Sequence, residues 1–295
     1  MATFRTTSDK FLLIAFAVSI GVTLLLILLP VLHAIQLSFY QRESFVSQGV
    51  WVGFDNYLSV LSTPTFWRAF GVGVEIALLS LLLQVGLGLA FALLLDQEFY
   101  GRAAVRGLAI LPYLLPTVVV ALAFQWLLDG SLGLFTIWAE RLGFGRPTWY
   151  ENPTLALSMV IVASVWTWTP FVTITLLAAL QSIPKSLYEA ARVDGAGPWG
   201  RFWHVTIPML LPVLVVIVLL RGIWMFNKFD IVWLLTKGGP LAATEHLPIL
   251  AYRYAFMQFD IGGGAAVATL SFAFLSTVIF IYFRIYPLGG KDIAT

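Results

Sequence analysis

The amino-acid sequence predicts an all-α polytopic membrane protein with six transmembrane helices. Of its 295 residues, 60% are hydrophobic and only 11% are charged, and the mean hydropathy is +0.90. A soluble domain of this length does not need so much apolar surface. A helix needs about 20 apolar residues to cross a hydrocarbon core of roughly 30 Å, and six segments are long enough. Because open strands would leave backbone groups unpaired in lipid, each segment is expected to be helical.

The predicted spans follow one another with short connections. The first begins after Arg5 and Lys10, and its length, with no small-residue cleavage site behind it, favours a retained span over a secretory signal. The connections are too short for a second soluble domain, so residues 1–295 are expected to form a single transmembrane domain. In order, the spans cover approximately residues 11–37, 70–95, 107–128, 155–180, 208–229 and 264–286.

Six spans place both termini on one side of the membrane. With the termini inside, the inner segments contain nine basic residues and the outer segments contain seven, which is a weak positive-inside pattern. This pattern predicts cytoplasmic termini. The inner residues are Arg5, Lys10, Arg102, Arg106, Lys185, Arg192, Arg201, Arg284 and Lys291, and the outer ones are Arg42, Arg68, Arg141, Arg146, Lys228, Lys237 and Arg253.

Charge and motif content argue against several kinds of chemistry. A net charge of +2 indicates no nucleic-acid surface, and the absence of cysteine removes thiolate metal sites. The three histidines have no second ligand at helical spacing, so no metal site is expected. The only Gly-Lys pair, Gly290-Lys291, is followed by Asp292, so the sequence has no phosphate-binding loop. We expect a chain that is not an enzyme, has no catalytic residues and binds no cofactor.

A polar segment, the 183–207 loop, separates the fourth and fifth spans. Ser186 and Glu189 match an S-x-x-E capping box, which predicts a helix from about Leu187. Gly195 is placed to end this helix in a left-handed conformation.

A second short helix is predicted from Gly197-Pro198, with Trp199, Phe202 and Trp203 on one face. Capping and spacing leave two interpretations open. The 183–207 loop either docks on a partner or rests on lipid headgroups as an amphipathic segment.

The 183–207 loop also contains a recognisable motif. Glu189-Ala190-Ala191 is followed after three residues by Gly195, and after nine more by Val205-x-Ile207-Pro208. This resembles the EAA loop of ABC-importer permeases, in which isoleucine and leucine are commoner where Val205 and Ile207 stand. Further motifs resemble the carbohydrate-uptake class, of the larger-subunit, maltose-permease-like type: GFDNYLSV (53–60), LPYLLPT (111–117), QSIPKSLYEAARVDGAG (181–197), FNKFD (226–230) and LLTKGGP (234–240).

The resemblance implies a type I ABC-importer permease fold in a bacterial inner membrane, with a cytoplasmic coupling loop. It implies a non-catalytic subunit that imports a sugar or sugar derivative and couples partner ATP hydrolysis to alternating access. The implied partners are a second, related permease, two cytoplasmic ATPase subunits that bind the ATP, and a periplasmic or lipid-anchored solute-binding protein. The residues implied in ATPase coupling are Glu189, Ala190, Ala191, Asp194 and Gly195.

The resemblance also places a substrate path inside the spans. Alignment on LPYLLPT, on the proline of WTWTPF and on FNKFD maps sugar-contacting positions onto this chain. Asn227 is a weaker polar candidate beside them. The candidate substrate-binding residues are Tyr113, Thr117, Ser164, Thr167, Trp168, Phe171, Arg221, Met225, Asn227 and Lys228.

Two charges, Glu75 and Arg221, lie within predicted spans and away from the last residues of those spans, and a charge at the centre of a span costs about 2.5–3.5 kcal/mol on insertion. One interpretation is an ion pair between them. The other is that Arg221 contacts an anionic group on the sugar, such as a sulfonate or phosphate, because guanidinium binds such oxygens in a fork. The two can coexist. In the second span, Gly86 and Ala90 stand four residues apart and indicate a face of close helix approach.

Two other function classes fit the sequence less well. A self-sufficient, ion-coupled secondary transporter would usually show an intramembrane acidic relay and paired broken helices, and Glu75 is the only acid well inside a predicted span. A membrane-embedded enzyme would need a convergent acid, base or metal cluster, which the sequence does not show.

Overall fold

The computed structural model describes residues 7–42 and 49–286, with side chains described from residue 13 onward. Arg5 and Lys291, counted above among the inner charges, lie outside these residues. Strands β1 (Tyr40–Gln41) and β2 (Val50–Trp51) pair antiparallel. The helices are α1 (Thr7–Leu37), α2 (Asp55–Ser62), α3 (Pro64–Asp96), α4 (Arg102–Leu114), α5 (Thr117–Leu127), α6 (Leu134–Arg141), α7 (Pro153–Ser182), α8 (Lys185–Val193), α9 (Pro198–Arg201), α10 (Ile207–Phe226), α11 (Phe229–Thr236), α12 (Leu247–Tyr252) and α13 (Ile261–Ile285), with π-helical turns at Phe202–Thr206 and Arg253–Met257.

Within the described ranges, five helices are long and apolar enough to cross a membrane: α1, α3, α7, the continuous segment Pro198–Phe226, and α13. The predicted third span, 107–128, is not one straight helix, because α4 and α5 meet at 92°. Leu115 and Pro116 between them are extended. Proline lacks a donor N–H and disfavours the helical conformation of the residue before it, so the helix breaks there. Counted as one bent span, the pair gives six.

The chain divides into two compact units, the first of which comprises the described part of Met1–Phe66 together with Leu250–Ala273. In this unit the side-chain amide of Asn56 donates to the backbone carbonyls of Ser38, at 2.8 Å, and Tyr40, at 3.0 Å. The amide of Ile261 donates to the carbonyl of Arg42 at 3.1 Å. The asparagine of the GFDNYLSV motif therefore fixes the chain as it leaves α1 and enters the β-hairpin.

The second unit comprises Trp67–Ile249 and the described part of Phe274–Thr295. Its central element is α7, which is buried along most of its length and packs against α3, α4, α5, α10 and α11. Hydroxyl groups on α7 are satisfied within the helix, since Thr167, Thr169 and Thr173 each donate to the carbonyl four residues earlier. These bonds allow small polar residues to lie in an apolar core.

Helix α3 approaches α7 closely at a glycine. A Cβ built on Gly88 would lie 2.6 Å from Cγ1 of Val172, whereas one built on Gly86 would meet nothing within 4 Å. Gly86 and Ala90 are exposed, so the close approach within this chain lies half a turn away from the predicted face, at Gly88. Gly88 belongs to the buried face of α3, which also includes Gln84.

Candidate functional site

A cavity of about 440 Å³, the Arg221 cavity, opens in the second unit. It is formed by the end of α4, by α7, by the last turns of α10 and by the break that follows α10. Six of the ten predicted substrate contacts line it, and Trp224 was not predicted. The lining residues are Tyr113, Trp168, Arg221, Trp224, Met225, Asn227 and Lys228.

The other four predicted contacts do not line this cavity. Thr117 is half-buried in the first turn of α5. Ser164 and Thr167 are buried, at 1% and 2% exposure, within the α7 core. Phe171 lies behind the cavity wall, where its ring contacts Tyr113 at 6.0 Å and Trp224 at 5.8 Å. These residues support the cavity rather than face it.

A break in the helix brings Lys228 to the cavity. The predicted fifth span reaches residue 229, but α10 ends at Phe226, and Lys228 is extended before α11 begins. The Nε2–H of His246, which is fully buried, donates to the carbonyl of Lys228 at 3.0 Å. This bond satisfies one of the backbone groups that the break releases.

Arg221 is fully buried and held by neutral groups. Its Nε–H donates to Oε1 of Gln84 at 2.9 Å, and Nη2 lies 3.7 Å from Sδ of Met225. Nη1 has no hydrogen-bond partner in the described residues. A buried guanidinium nitrogen without a partner is costly, which makes it a candidate for binding a ligand oxygen.

The predicted ion pair between Glu75 and Arg221 was wrong. Glu75 lies on an exposed face of α3, whereas Arg221 is fully buried. Nine residues separate Glu75 from Gln84, which is about 13 Å along a helix. Arg221 contacts α3 at Gln84, too far along that helix to reach Glu75.

Aromatic rings surround the two cations of the cavity. The guanidinium carbon of Arg221 lies 5.0 Å from the Trp168 ring centre and 5.4 Å from that of Trp224. The ammonium of Lys228 lies 4.4 Å from the same Trp168 ring and 3.0 Å from a carboxylate oxygen of Asp230. Such cation–π contacts stabilise a charge without neutralising it. The cavity can therefore offer flat apolar faces and positive charge to one ligand.

A larger groove, of about 1010 Å³, runs along α3, α4 and α7. Its walls are mainly leucine, valine and phenylalanine, and no charged residue lines it. A polar solute would find few partners there. The smaller Arg221 cavity is the better candidate for solute binding, because convergent polar groups and aromatic rings are typical of such sites.

Two residues that shape the Arg221 cavity, Gln84 and Trp224, were not predicted from the sequence. A glutamine inside an apolar span is a signal that could have found the first, because polar side chains within membranes usually face protein. Gln84 also falls on the same face as Ser80 and Gly88, at i±4 spacing. No comparable signal marks Trp224 among the eleven tryptophans of the chain.

The helix of the 183–207 loop starts differently from the prediction. The residue preceding α8 is Pro184, no side chain caps the helix, and α8 begins at Lys185. The predicted capping box of Ser186 and Glu189 is therefore wrong. Both residues already lie inside the first turns of α8, because proline before them is compatible with an extended entry into the helix.

The end of α8 follows the prediction. Gly195 has φ of +80°, in the left-handed region. The amide of Ala196 donates to the carbonyl of Ala191 at 2.8 Å, and that of Gly195 to Arg192 at 3.0 Å. These two bonds form a Schellman motif, which favours glycine at the left-handed position.

The 183–207 loop is exposed on one side and anchored on the other. No residue of α8 is fully buried, and Glu189, Ala190, Asp194 and Gly195 are exposed, with Ala191 half-buried. The loop is tied to the helices by Ile183, Tyr188 and Val205, which pack into the cluster formed by α3, α7 and α10. A force applied to the exposed side would therefore reach that cluster.

The second part of the 183–207 loop confirms the predicted aromatic face. Helix α9 begins at Pro198, and the rings of Trp199, Phe202 and Trp203 contact one another at centroid distances of 5.2–5.9 Å. Trp199 is 72% exposed. This face suits either of the interpretations left open by the sequence, docking on a partner or contact with lipid headgroups.

The chain matches the family model described as "Binding-protein-dependent transport system inner membrane component" over residues 84–287. It is 38% identical over 264 residues to the trehalose/maltose transport system permease protein MalF of Thermococcus litoralis, covering 90% of this chain and 89% of that protein. It is 33% identical over 264 residues to the sulfoquinovosyl glycerol transport system permease protein SmoG of Agrobacterium fabrum, covering 88% of this chain and 85% of that protein.

A solved structure shares the fold. In the crystal structure of a bacterial ABC transporter involved in the import of the acidic polysaccharide alginate, one chain superposes with a TM-score of 0.79 at 24% identity. The match covers 95% of this chain and 97% of that one. At this identity the likeness establishes the fold alone. Together these matches confirm the resemblance drawn from the sequence motifs and the fold that it implies.

Proposed function

The chain belongs to the family of binding-protein-dependent transport system inner membrane components, and we propose that it is a permease subunit of an ABC importer for a sugar or sugar derivative. As a member of this family it is a non-catalytic component of an inner-membrane transport system. The sugar class is supported by the names of the two relatives, which transport trehalose/maltose and sulfoquinovosyl glycerol.

The Arg221 cavity is the observation that carries this proposal. Its volume of about 440 Å³ falls within the roughly 300–1,000 Å³ typical of small-molecule sites. Trp168, Trp224 and Tyr113 offer aromatic faces, on which the C–H face of a sugar ring can stack, and Asn227 and Lys228 offer hydrogen bonds. The solute is proposed to pass through this cavity on its way across the membrane.

An anionic sugar, such as a sulfonated or phosphorylated one, is the substrate that the cavity favours. Arg221 and Lys228 flank the same indole of Trp168, and the unpartnered Nη1 of Arg221 can donate to an anionic oxygen. A neutral sugar would leave that nitrogen without an ionised partner.

The 183–207 loop is proposed to couple the chain to a cytoplasmic ATPase subunit through Glu189, Ala190, Ala191, Asp194 and Gly195. Two features support this role. Four of the five residues are exposed and Ala191 is half-buried, and the loop is anchored in the cluster formed by α3, α7 and α10. Closure of a pair of ATPase subunits would then move these helices between inward- and outward-open arrangements.

The remaining partners follow from this role. We propose a heterodimer with a second, related permease, two ATPase subunits that bind ATP, and a periplasmic or lipid-anchored solute-binding protein. The chain would lie in a bacterial inner membrane with both termini in the cytoplasm, as the excess of basic residues in the inner segments indicates. The chain would act as a single transmembrane domain.

The proposal is tested by affinity purification of the tagged chain from its native membrane, followed by uptake assays in proteoliposomes. Co-purification of a second permease and an ATPase is expected, together with sugar uptake that requires hydrolysable ATP and the binding protein. The matched control replaces ATP with a non-hydrolysable analogue. Uptake by this chain alone, driven by an ion gradient, would contradict the proposal and support a secondary transporter.

A further inference from the structure

We propose that Gln84 is a positioning residue that determines charge selectivity, by holding Arg221 in place without neutralising it. This inference rests on the proposed function, because it concerns the same cavity. Gln84 is fully buried on α3 and does not line the Arg221 cavity itself. It acts on a solute through Arg221, on α10, which is 137 residues away in the sequence.

The orientation of the Gln84 amide is fixed on both sides. Its Oε1 accepts from Nε of Arg221 at 2.9 Å. Its Nε2 lies 3.3 Å from Sδ of Met225 and 3.5 Å from the carbonyl of Ser164. An amide has one accepting and one donating end, so donors and acceptors placed in this way permit one orientation. The guanidinium is thereby held at one edge.

The held edge determines which nitrogen remains available. Nε is occupied by Gln84 and Nη2 is turned toward Met225, whereas Nη1 has no hydrogen-bond partner. The rings of Trp168 and Trp224 restrict the guanidinium further. A preorganised donor of this kind costs a ligand little ordering, which favours binding.

Gln84 is also uncharged, which matters as much as its position. A carboxylate at position 84 could accept the same hydrogen bond, but it would neutralise the guanidinium, and an anionic solute would then compete with it for the charge. Glutamine supplies the geometry and leaves a full positive charge. The Arg221 cavity is therefore selective for anionic over neutral solutes only while residue 84 is uncharged.

The test compares Gln84→Glu and Gln84→Leu with the native chain in the complete ATP-driven importer. The probes are glucose and its 6-sulfonated, 6-phosphorylated and 6-carboxylated forms, each as the free sugar and as the glycerol glycoside. The native importer is expected to prefer an anionic form. In Gln84→Glu the KM for that form should rise roughly tenfold or more, with the neutral sugar and kcat little changed. Gln84→Leu should lose only part of the preference, because it removes the geometry and retains the charge.

The matched control is Gln125→Glu, a second glutamine, whose Nε2 donates to the carbonyl of Leu234 away from the cavity. It should assemble and retain the native preference. An unchanged anionic preference in Gln84→Glu overturns the inference, and so does a native importer that prefers neutral sugars. In both cases the proposal of a sugar importer still stands. ATP-driven uptake of none of the probes would likewise overturn the inference, which requires import of an anionic form, and would leave the proposal of a sugar importer to the co-purification and uptake assays described above.

Discussion

The Arg221 cavity and the 183–207 loop differ in where their structural determinants lie. In the cavity, Arg221 of α10 is held by Gln84 of α3 and covered by Trp168 of α7. In the loop, Gly195 ends α8 through hydrogen bonds to residues only three to five positions away. The cavity depends on three helices meeting in one arrangement, whereas the end of α8 depends on a few adjacent residues.

This difference indicates how each region would respond to change. A substitution in the cavity removes one partner of a buried polar contact, and the other partner is left without water to replace it. A substitution in the exposed 183–207 loop changes the backbone or the docking surface and leaves no buried group unpaired. We therefore expect cavity variants to alter which solute is transported and loop variants to alter whether transport is driven at all.

The largest effect is expected for Arg221→Leu. Loss of a buried, hydrogen-bonded charge partner typically costs about 2–5 kcal/mol in binding, so uptake of an anionic sugar should be nearly abolished. ATPase co-purification should be unchanged, because Arg221 contacts Gln84, Met225 and the aromatic rings of the cavity and not the 183–207 loop. Uptake assays with Arg221→Lys, which retains the charge and loses the fork, serve as the control. Normal anionic-sugar uptake by a folded Arg221→Leu chain would remove Arg221 from the substrate site.

Acid should lower the free energy of unfolding of the second unit through protonation of His246, which contacts the backbone of Lys228 beside the cavity. Burial lowers the pKa of His246 from 6.5 to about 4. The unfolded chain therefore binds a proton on this imidazole at a higher pH than the folded chain does. Above pH 6.5 the neutral imidazole costs the folded chain nothing. Between pH 6.5 and pH 4 the free energy of unfolding falls by at most about 1.4 kcal/mol per pH unit. Thermal unfolding of the purified chain between pH 7 and pH 4 measures it.

The matched variant is His246→Gln, whose amide can still donate to the carbonyl of Lys228 but does not titrate. Its unfolding temperature should depend less on pH across the same window. A pH profile identical to that of the native chain would show that other groups cause the acid sensitivity.

A smaller energetic effect, with a clear functional consequence, is expected for Gly195→Val. The left-handed conformation costs a non-glycine residue about 1–2 kcal/mol, which corresponds to a roughly 5–30-fold shift away from the native loop end. ATP-driven uptake should fall by a similar factor, and ATPase co-purification should weaken. Gly197→Ala is the control, because Gly197 has a negative φ and open space around it. Unchanged uptake and attachment in Gly195→Val would contradict the coupling role.

The smallest effect is expected for Ser186→Ala, because Ser186 does not cap α8. The free energy of unfolding should change by less than about 0.5 kcal/mol. Asn152→Ala is the matched comparison. Its Oδ1 accepts from the amides of Thr154, at 2.9 Å, and Leu155, at 3.1 Å, at the start of α7. Loss of such a cap costs about 0.5–2 kcal/mol. Equal losses of stability in both variants would show that Ser186 does cap α8.

Signals that act over a few residues were predicted well. Long apolar runs located the spanning helices, glycine located the left-handed end of α8, and Gly197-Pro198 located the start of α9. The predicted capping box of Ser186 and Glu189 was wrong because Pro184, just before it, determines where α8 begins. The third span was located by its apolar run, but its bend of 92° was not predicted, although LPYLLPT contains the proline at which the helix breaks.

The sequence by itself determined the apolar spans, the polar loop and the motifs that assign the family, because chain length in lipid, backbone conformation and motif spacing are properties of short segments. Only the tertiary structure decided that Arg221 meets Gln84 and not Glu75, that Gly88 and not Gly86 contacts α7, and that Trp224 joins the cavity wall. These contacts depend on how each helix is rotated about its axis. That rotation is determined by packing between helices many residues apart, which no local pattern in an evenly apolar span records.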